Sequence, residues 1–247
     1  MIYLDNAATT LHKPPEVAET VKNAILTAGN ASRGAHGVSL SASRMVFETR
    51  SQLAKLFGCP RADHVVFTAN STEALNMAIC GLLNPGDHVI STDLEHNFEM
   101  QPETIEKLIT PHTKALMINT PNNPTGSVMT RETLAKIAEL AVKHDLLVIS
   151  DDVYNTLLYA GEEAHCIASF PGMRERTVIV NSFSKSYAMT GWRIGFVAAP
   201  AEIVDRMTKC QENFNACANA PGQYAATVAL DHPELCEELR QVFERRR

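Results

Sequence analysis

Six short apolar runs rich in β-branched residues constrain the fold of this chain more than any other feature of its sequence. The runs cover residues 64–68, 88–93, 114–120, 146–151, 177–181 and 194–199. Continuous apolar runs of this length are typical of strands that are covered on both faces. Helical patterns lie between and around them, at residues 15–28, 40–57, 72–83, 102–109, 131–144, 201–213, 219–230 and 233–247. This alternation predicts an α/β fold with a doubly wound, mainly parallel sheet.

Composition excludes several classes of partner. The net charge is −6, and basic residues are scattered apart from residues 245–247, so we expect no nucleic-acid partner. No stretch has the length and apolarity of a membrane span, and the N-terminus has no signal-peptide pattern, which predicts a cytoplasmic protein without a membrane partner. The six cysteines have no metal-binding or disulfide spacing, so we interpret them as free thiols and expect no metal.

Polar turns follow several of the predicted strands. They read Ala-Asn-Ser-Thr-Glu at 69–73, Pro-Asn-Asn-Pro-Thr-Gly at 121–126, Asp-Asp-Val-Tyr at 151–154, and Ser-Phe-Ser-Lys at 182–185, followed by Gly-Trp-Arg at 191–193. Ligands of doubly wound sheets bind at the carboxyl ends of the strands. We therefore expect these turns to converge on one site.

The last three of these turns, in this order, resemble the fold-type I pyridoxal-phosphate enzymes. From residue 98 onward the chain is similar to class I aminotransferases of the aspartate aminotransferase type. Residues 1–97 resemble instead class V aminotransferases and cysteine desulfurases, through Tyr-Leu-Asp-Asn-Ala-Ala-Thr-Thr at 3–10, Asn-Ala-Ser-Arg-Gly-Ala-His at 30–36, Ser-Thr-Glu-Ala-Leu-Asn at 71–76 and Glu-His-Asn at 95–97. The resemblance implies one large transferase domain over residues 1–247, with a junction near residues 97 and 98 and with the small C-terminal domain absent.

The resemblance assigns the central chemical role to Lys185. In such enzymes a lysine amine condenses with the aldehyde of pyridoxal 5'-phosphate, and the protonated pyridine ring then serves as an electron sink. Lys185 would be this Schiff-base lysine and, once substrate releases it, the general base at the substrate Cα. The alternative interpretation of Lys185 is an ordinary surface lysine.

Asp151 is the candidate partner of the cofactor's ring nitrogen, because a neighbouring carboxylate keeps the pyridine protonated. Asp152 is the structural alternative, and it would point to the other side of the strand because side chains alternate. The resemblance places Asn123 and Tyr154 at the ring hydroxyl. Alternatively, Asn123 only shapes a turn and Tyr154 only packs.

A phosphate dianion requires free backbone amides, hydroxyl donors and a guanidinium. Ser71 and Thr72 begin a predicted helix, and Ser182 and Arg193 would complete the phosphate site; Arg193 follows Lys185 by eight residues, as in the family. A simple helix N-cap is the alternative role of Ser71 or Thr72.

The class V-like segment contributes further candidates. By resemblance, His96 would stack on the pyridine face, and Asn6, Ala8 and Thr9 would lie near the substrate carboxylate. His96 could instead be a loop histidine, because the sequence changes family directly after it.

Three functions follow from the composite resemblance. The first is an aminotransferase that acts on an amino acid and a 2-oxo acid as a homodimer, with activity impaired by the absent domain. The second is a cysteine desulfurase or related lyase, and the third is an inactive fragment or fusion product. Between the second predicted strand and residue 102 both families normally carry another strand and connection. These are missing here, so we predict a sheet that lacks an edge strand, with a direct crossover between the second and third strands.

Overall fold

A computed structural model describes residues 15–28, 36–91, 100–159, 161–214 and 218–246, which form a six-stranded sheet with helices on both faces. The strands are β1 (Val65–Thr68), β2 (His88–Ser91), β3 (Thr113–Asn119), β4 (Leu147–Asp151), β5 (Thr177–Ser182) and β6 (Gly195–Ala198). The helices are α1 (Pro15–Thr27), α2 (Gly37–Leu56), α3 (Ser71–Leu82), α4 (Pro102–Leu108), α5 (Arg131–Lys143), α6 (Phe183–Ser186), α7 (Ala201–Phe214), α8 (Ala220–Asp231) and α9 (Glu234–Arg246).

The strand order is β1-β6-β5-β4-β3-β2, and strands β2 to β5 are mutually parallel. The predicted α/β class and mainly parallel sheet are therefore confirmed. Strand β6 runs antiparallel to both of its neighbours, β1 and β5, which the sequence did not predict. Because β6 is reversed, the residues that precede it lie at the same edge of the sheet as the residues that follow β3, β4 and β5.

Strand β2 lies at the edge of the sheet and pairs directly with β3. Between them, described residues 100–112 form helix α4 and a turn but no strand. This agrees with the predicted lack of an edge strand as far as the described residues extend; residues 92–99 lie outside them.

Three apolar clusters attach the helices to the sheet. Helices α3 and α7 pack on one face, where Met77 and Met207 contact the cluster around Val197. On the other face, α4 and α5 cover β2 to β4. Helices α1, α2 and α8 cover β1 and β6 on that second face, around Phe67 and Phe196. Burial on both faces explains why the strands read as continuous apolar runs.

Two general properties follow from the described residues. None of their helices combines the length and the apolar composition needed to cross a membrane. The five cysteines among them, which are Cys59, Cys80, Cys166, Cys210 and Cys236, are free thiols.

Candidate active site

A cavity of about 290 Å³ opens at the carboxyl edge of the parallel strands, where the polar turns converge. Its lining includes the predicted site residues Ser71, Thr72, Asn123, Asp151, Tyr154, Ser182, Lys185 and Arg193. Four other predicted site residues, Asn6, Ala8, Thr9 and His96, lie outside the residues that the structure describes. The structure therefore places every described candidate around one cavity.

Lys185 reaches this cavity from the short helix α6, which follows β5 without an intervening loop. Ser182 caps the helix, since its hydroxyl accepts a hydrogen bond of 3.4 Å from the backbone N–H of Ser184. The Lys185 Nζ lies 5.7 Å from the centroid of the Tyr154 ring, within cation–π range. A partly buried amine facing an aromatic ring in a polar cavity differs from an ordinary exposed lysine.

Asp151 and Asp152 occupy opposite environments at the end of β4. Asp151 lines the cavity, and its Oδ1 accepts a hydrogen bond of 3.2 Å from the backbone N–H of Val153. Burial raises the pKa of the Asp151 carboxyl above its usual value, and the Val153 bond opposes this shift. Asp152 is buried on the other side, where its Oδ1 accepts a hydrogen bond of 2.6 Å from the Ser150 hydroxyl. Only Asp151 is therefore available to a ligand in the cavity.

Asn123 and Tyr154 meet across the cavity, although they come from different turns. The Asn123 Nδ2 donates a hydrogen bond of 2.8 Å to the Tyr154 hydroxyl. Asn123 is held by a turn in which the backbone N–H of Gly126 donates to the Asn122 carbonyl at 2.8 Å. The Asn122 side chain also stabilises this turn by accepting hydrogen bonds from Thr125, and the side chains of Asn123 and Tyr154 form a polar pair at the cavity.

Ser71 and Thr72 lie in the first turn of α3, where free backbone amides favour anions. Neither residue is the N-cap. That role belongs to Asn70, whose side-chain oxygen accepts a hydrogen bond of 2.8 Å from the backbone N–H of Glu73. The alternative assignment of Ser71 or Thr72 as a simple cap is therefore wrong, and both residues line the cavity.

Arg193 lies two residues before β6 and contributes a guanidinium to the cavity. Its backbone adopts a left-handed conformation with φ of 53°, which is uncommon for a residue other than glycine. Its Nη1 donates a hydrogen bond of 2.9 Å to the Thr190 carbonyl. The guanidinium is otherwise exposed at the cavity rim. Arg193 lies beside the start of α3 because β6, which follows Arg193, pairs with β1, which leads into α3.

This set of groups fits the chemistry of pyridoxal phosphate. An amine at Lys185 can bond an aldehyde, and the Asp151 carboxylate can face a ring nitrogen. The helix terminus, hydroxyls and guanidinium match what a phosphate dianion requires. Within the described residues, no cluster of three or more His, Cys, Asp and Glu side chains is arranged to hold a metal ion.

The cavity also contains polar residues that the sequence analysis did not select: Asn70, Asn119, Ser184 and Thr190. Asn119 is the last residue of β3 and pairs in register with Asp151. The rule that ligands bind at the carboxyl ends of parallel strands could have identified it. It was missed because the polar turn was counted from residue 121 onward.

A larger cavity of about 1240 Å³ lies elsewhere, below the second face of the sheet. Apolar side chains such as Phe57 and Phe196 line it together with Asn155, and it contains no lysine. It is larger than the polar cavity, but of the converging turns it receives only Ser182 and Phe183, and it is not lined by Lys185, Asp151 or Arg193.

Comparison with known families divides the chain into two segments. The family model "Aminotransferase class I and II" matches residues 93–247. The model "Aminotransferase class-V" matches residues 2–100. The predicted composite, with a junction near residues 97 and 98, is thereby confirmed.

Curated relatives and solved structures agree with these matches. The chain is 47% identical over 161 residues to the aromatic-amino-acid aminotransferase 2 of Thermococcus litoralis and to the aspartate aminotransferase of Pyrococcus abyssi. Each alignment covers 64% of this chain, which spans only 41% of the length of these relatives. The structure of aspartate aminotransferase from Thermotoga maritima is 31% identical with a TM-score of 0.84, over 97% of this chain and 68% of that one. The aromatic aminotransferase from Pyrococcus horikoshii is 32% identical with a TM-score of 0.83, over 96% and 70%.

Proposed function

Because the chain belongs to the class I and II aminotransferase family, we propose that it uses pyridoxal phosphate to transfer an amino group between an amino acid and a 2-oxo acid. The observation that carries the proposal is the convergence of Lys185, Asp151 and Arg193 on one cavity. The bound cofactor supplies an electron sink for the carbanion at the substrate Cα. The residues of this chain hold it, orient it and move the proton.

Each group has a defined task in this proposal. The Lys185 amine bonds the cofactor and, when substrate displaces it, takes and returns the proton at the substrate Cα. The Asp151 carboxylate keeps the ring nitrogen protonated. The hydrogen-bonded pair of Asn123 and Tyr154 orients the ring through its hydroxyl. Asp151 ends β4 and Lys185 lies in α6 directly after β5, and these two strands are parallel neighbours in the sheet.

The phosphate is proposed to bind where α3 begins. Ser71 and Thr72 offer hydroxyls and backbone amides there, Ser182 offers a further hydroxyl, and Arg193 offers a guanidinium. This combination neutralises a dianion through charge-assisted hydrogen bonds.

The cysteines favour transamination over desulfuration. A desulfurase requires a nucleophilic thiol at the substrate, and none of the described cysteines lines the cavity. The class V-like match remains the basis of the alternative function, because it covers residues 2–100.

We further propose a cytoplasmic homodimer. The free thiols of the described cysteines fit a reducing compartment, and the family resemblance favours a site completed by two subunits.

The cofactor assignment is tested by borohydride reduction of the purified chain in the presence of pyridoxal phosphate. We expect mass spectrometry of the digest to find the reduced cofactor on Lys185, because it is the lysine among the described residues that lines the cavity. Lys185→Ala should lose the label, whereas Lys107→Ala, which changes an exposed lysine of α4, should retain it. A label on another lysine, or none on folded protein saturated with cofactor, would falsify the assignment.

The reaction is tested on the same preparation by mixing it with alanine, aspartate, glutamate or cysteine. Formation of pyridoxamine phosphate with any of them supports transamination. Release of sulfide from cysteine would support the desulfurase alternative instead. No conversion, in protein that carries the label on Lys185, would limit the function to cofactor binding.

A further inference from the structure

One buried polar atom in the cavity has no partner. The side-chain oxygen of Asn119 is inaccessible to solvent and accepts no hydrogen bond. Asn119 ends β3 and lies beside Asp151 in the parallel register, and both residues line the cavity. Leaving a buried acceptor unpaired is costly, so such atoms are uncommon in folded proteins unless a ligand or a rearrangement satisfies them.

The Asp151 carboxylate accepts a hydrogen bond at one of its two oxygens. The hydrogen bond from the Val153 N–H reaches only its Oδ1. Burial is the larger influence on this carboxyl and raises its pKa, which opposes the charged form. The proposed role of Asp151 nevertheless requires an ionised carboxylate at the ring nitrogen, and a further hydrogen-bond donor to this carboxylate would favour the ionised form.

The groups around Asp151 narrow the choice of donor. Lys185, Arg193 and Tyr154 line the same cavity from the elements that follow β4 and β5, and they are proposed to hold other parts of the cofactor. Asp152, the next residue, is buried on the opposite side. From β3 the cavity receives Asn119, and from the start of α3 it receives neutral side chains. Of the neutral polar residues that line the cavity, Asn119 is the one that pairs in register with Asp151, so its amide is the donor placed beside the carboxylate.

We infer that Asn119 is a positioning residue of the cofactor site, whose side-chain N–H donates a hydrogen bond to the Asp151 carboxylate and keeps it ionised at the ring nitrogen. This inference rests on the proposed function. A half-turn of the amide exchanges its oxygen and nitrogen, which have nearly the same shape. The exchange turns the unpaired acceptor site beside Asp151 into a donor site.

The inference is tested with Asn119→Leu, which keeps the approximate side-chain size and removes the donor. Asn155→Leu is the matched control, because the Asn155 oxygen is also buried without a partner but lines the larger cavity. We expect Asn119→Leu to bind pyridoxal phosphate about tenfold more weakly at neutral pH, since a hydrogen bond to a charged group is lost. Asn155→Leu should bind as the wild type does.

The pH dependence provides a second readout. An ionised Asp151 is present above its pKa, so cofactor binding should be lost as the pH falls through that value. Removal of a donor to the ionised form raises the pKa, and we expect the midpoint of this loss to move upward by about one pH unit in Asn119→Leu. Titration of the cofactor itself is common to both proteins and cancels in the comparison.

A double-mutant cycle separates this role from a structural one. In an Asp151→Asn background the Asn119→Leu change should have no further effect on cofactor affinity, because the carboxylate that it supports is gone. If Asn119→Leu fails to fold, Asn119→Ser and Asn119→Ala give the same comparison, and only Ser should recover part of the affinity. Wild type that does not bind cofactor overturns the proposed function. Wild type that binds, with Asn119→Leu equal to Asn155→Leu, overturns this inference alone.

Discussion

At the scale of single residues, the adjacent Asp151 and Asp152 differ in environment because successive side chains of a strand point to opposite faces of the sheet. Asp151 faces the cavity, and Asp152 is buried among apolar residues with the Ser150 hydroxyl and the Cys166 thiol as hydrogen-bond donors. Burial raises the pKa of Asp152 to about 7, so this carboxyl is readily protonated. A neutral side chain of the same shape can therefore replace Asp152 but not Asp151.

This difference predicts unequal effects of two matched substitutions. Asp151→Asn should slow the conversion of bound cofactor by an amino acid roughly a hundredfold, because electrostatic stabilisation of the reacting group is lost. Asp152→Asn should change it by less than about tenfold, since asparagine can still accept a hydrogen bond from Ser150. The measurement is single-turnover formation of pyridoxamine phosphate. Borohydride labelling of Lys185 serves as the control for cofactor occupancy, and equal losses would contradict the assignment of Asp151.

At the scale of elements, the site depends on how closely β6 approaches the turn between β1 and α3. A Cβ atom added to Gly195 would lie 2.6 Å from the carbonyl carbon of Asn70 and 2.9 Å from the Thr68 hydroxyl. Asn70 is the N-cap of α3, so this contact fixes the start of the helix at which phosphate is proposed to bind. The absence of a side chain at Gly195 is therefore a requirement of the site as well as of the sheet.

We expect Gly195→Ala to separate β6 from this turn and to destabilise the protein by about 1–3 kcal/mol, the usual cost of overpacking. It should also weaken cofactor binding. Gly191→Ala is the control, because a Cβ atom there would meet no atom within 4 Å. Urea denaturation midpoints of the two variants and the wild type provide the measurement. Equal midpoints for both variants would show that the turn between β1 and α3 moves to accommodate the added methyl group without loss of stability.

The elements themselves were largely predictable from the sequence, but their directions were not. Most predicted boundaries lie within one residue of those observed, because burial on both faces leaves a clear apolar run. Helix α2 is an exception and begins at Gly37, three residues before the predicted start, since His36 makes no side-chain capping bond that would mark it. The antiparallel direction of β6 was missed because hydrophobic periodicity does not record strand direction. Asn119 was missed because it belongs to a strand and not to a turn.

At the scale of the whole molecule, the cavity joins the two family segments. Ser71 and Thr72 come from the part that matches the class V model, and Lys185, Asp151 and Arg193 come from the part that matches the class I and II model. Both segments contribute strands to one sheet, in which β1 pairs with β6. A ligand that bridges the segments should therefore stabilise the molecule as a unit.

We expect pyridoxal phosphate at a hundredfold excess over its dissociation constant to add about 2.7 kcal/mol to the free energy of unfolding. For a chain of this size, that corresponds to a rise of roughly 5–10 °C in the melting temperature. Circular dichroism melts with and without the cofactor measure the effect. Lys185→Ala should show a smaller rise, and an unchanged melting temperature in saturated wild type would count against the proposed site.

The position of β6 between β1 and β5 also determines when the contacts of β1 form during folding. Val65 of β1 pairs with Ala198 of β6, whereas β2 to β5 pair with neighbours that lie closer along the chain. Contacts between distant parts of a chain form late because closing a long loop is entropically costly. Among the described strands β6 is the sheet partner of β1, so during synthesis β1 stays without this partner until residues 195–198 have been made. The two halves of the proposed phosphate site, α3 and Arg193, come together when β6 pairs with β1, so cofactor binding should require this late pairing.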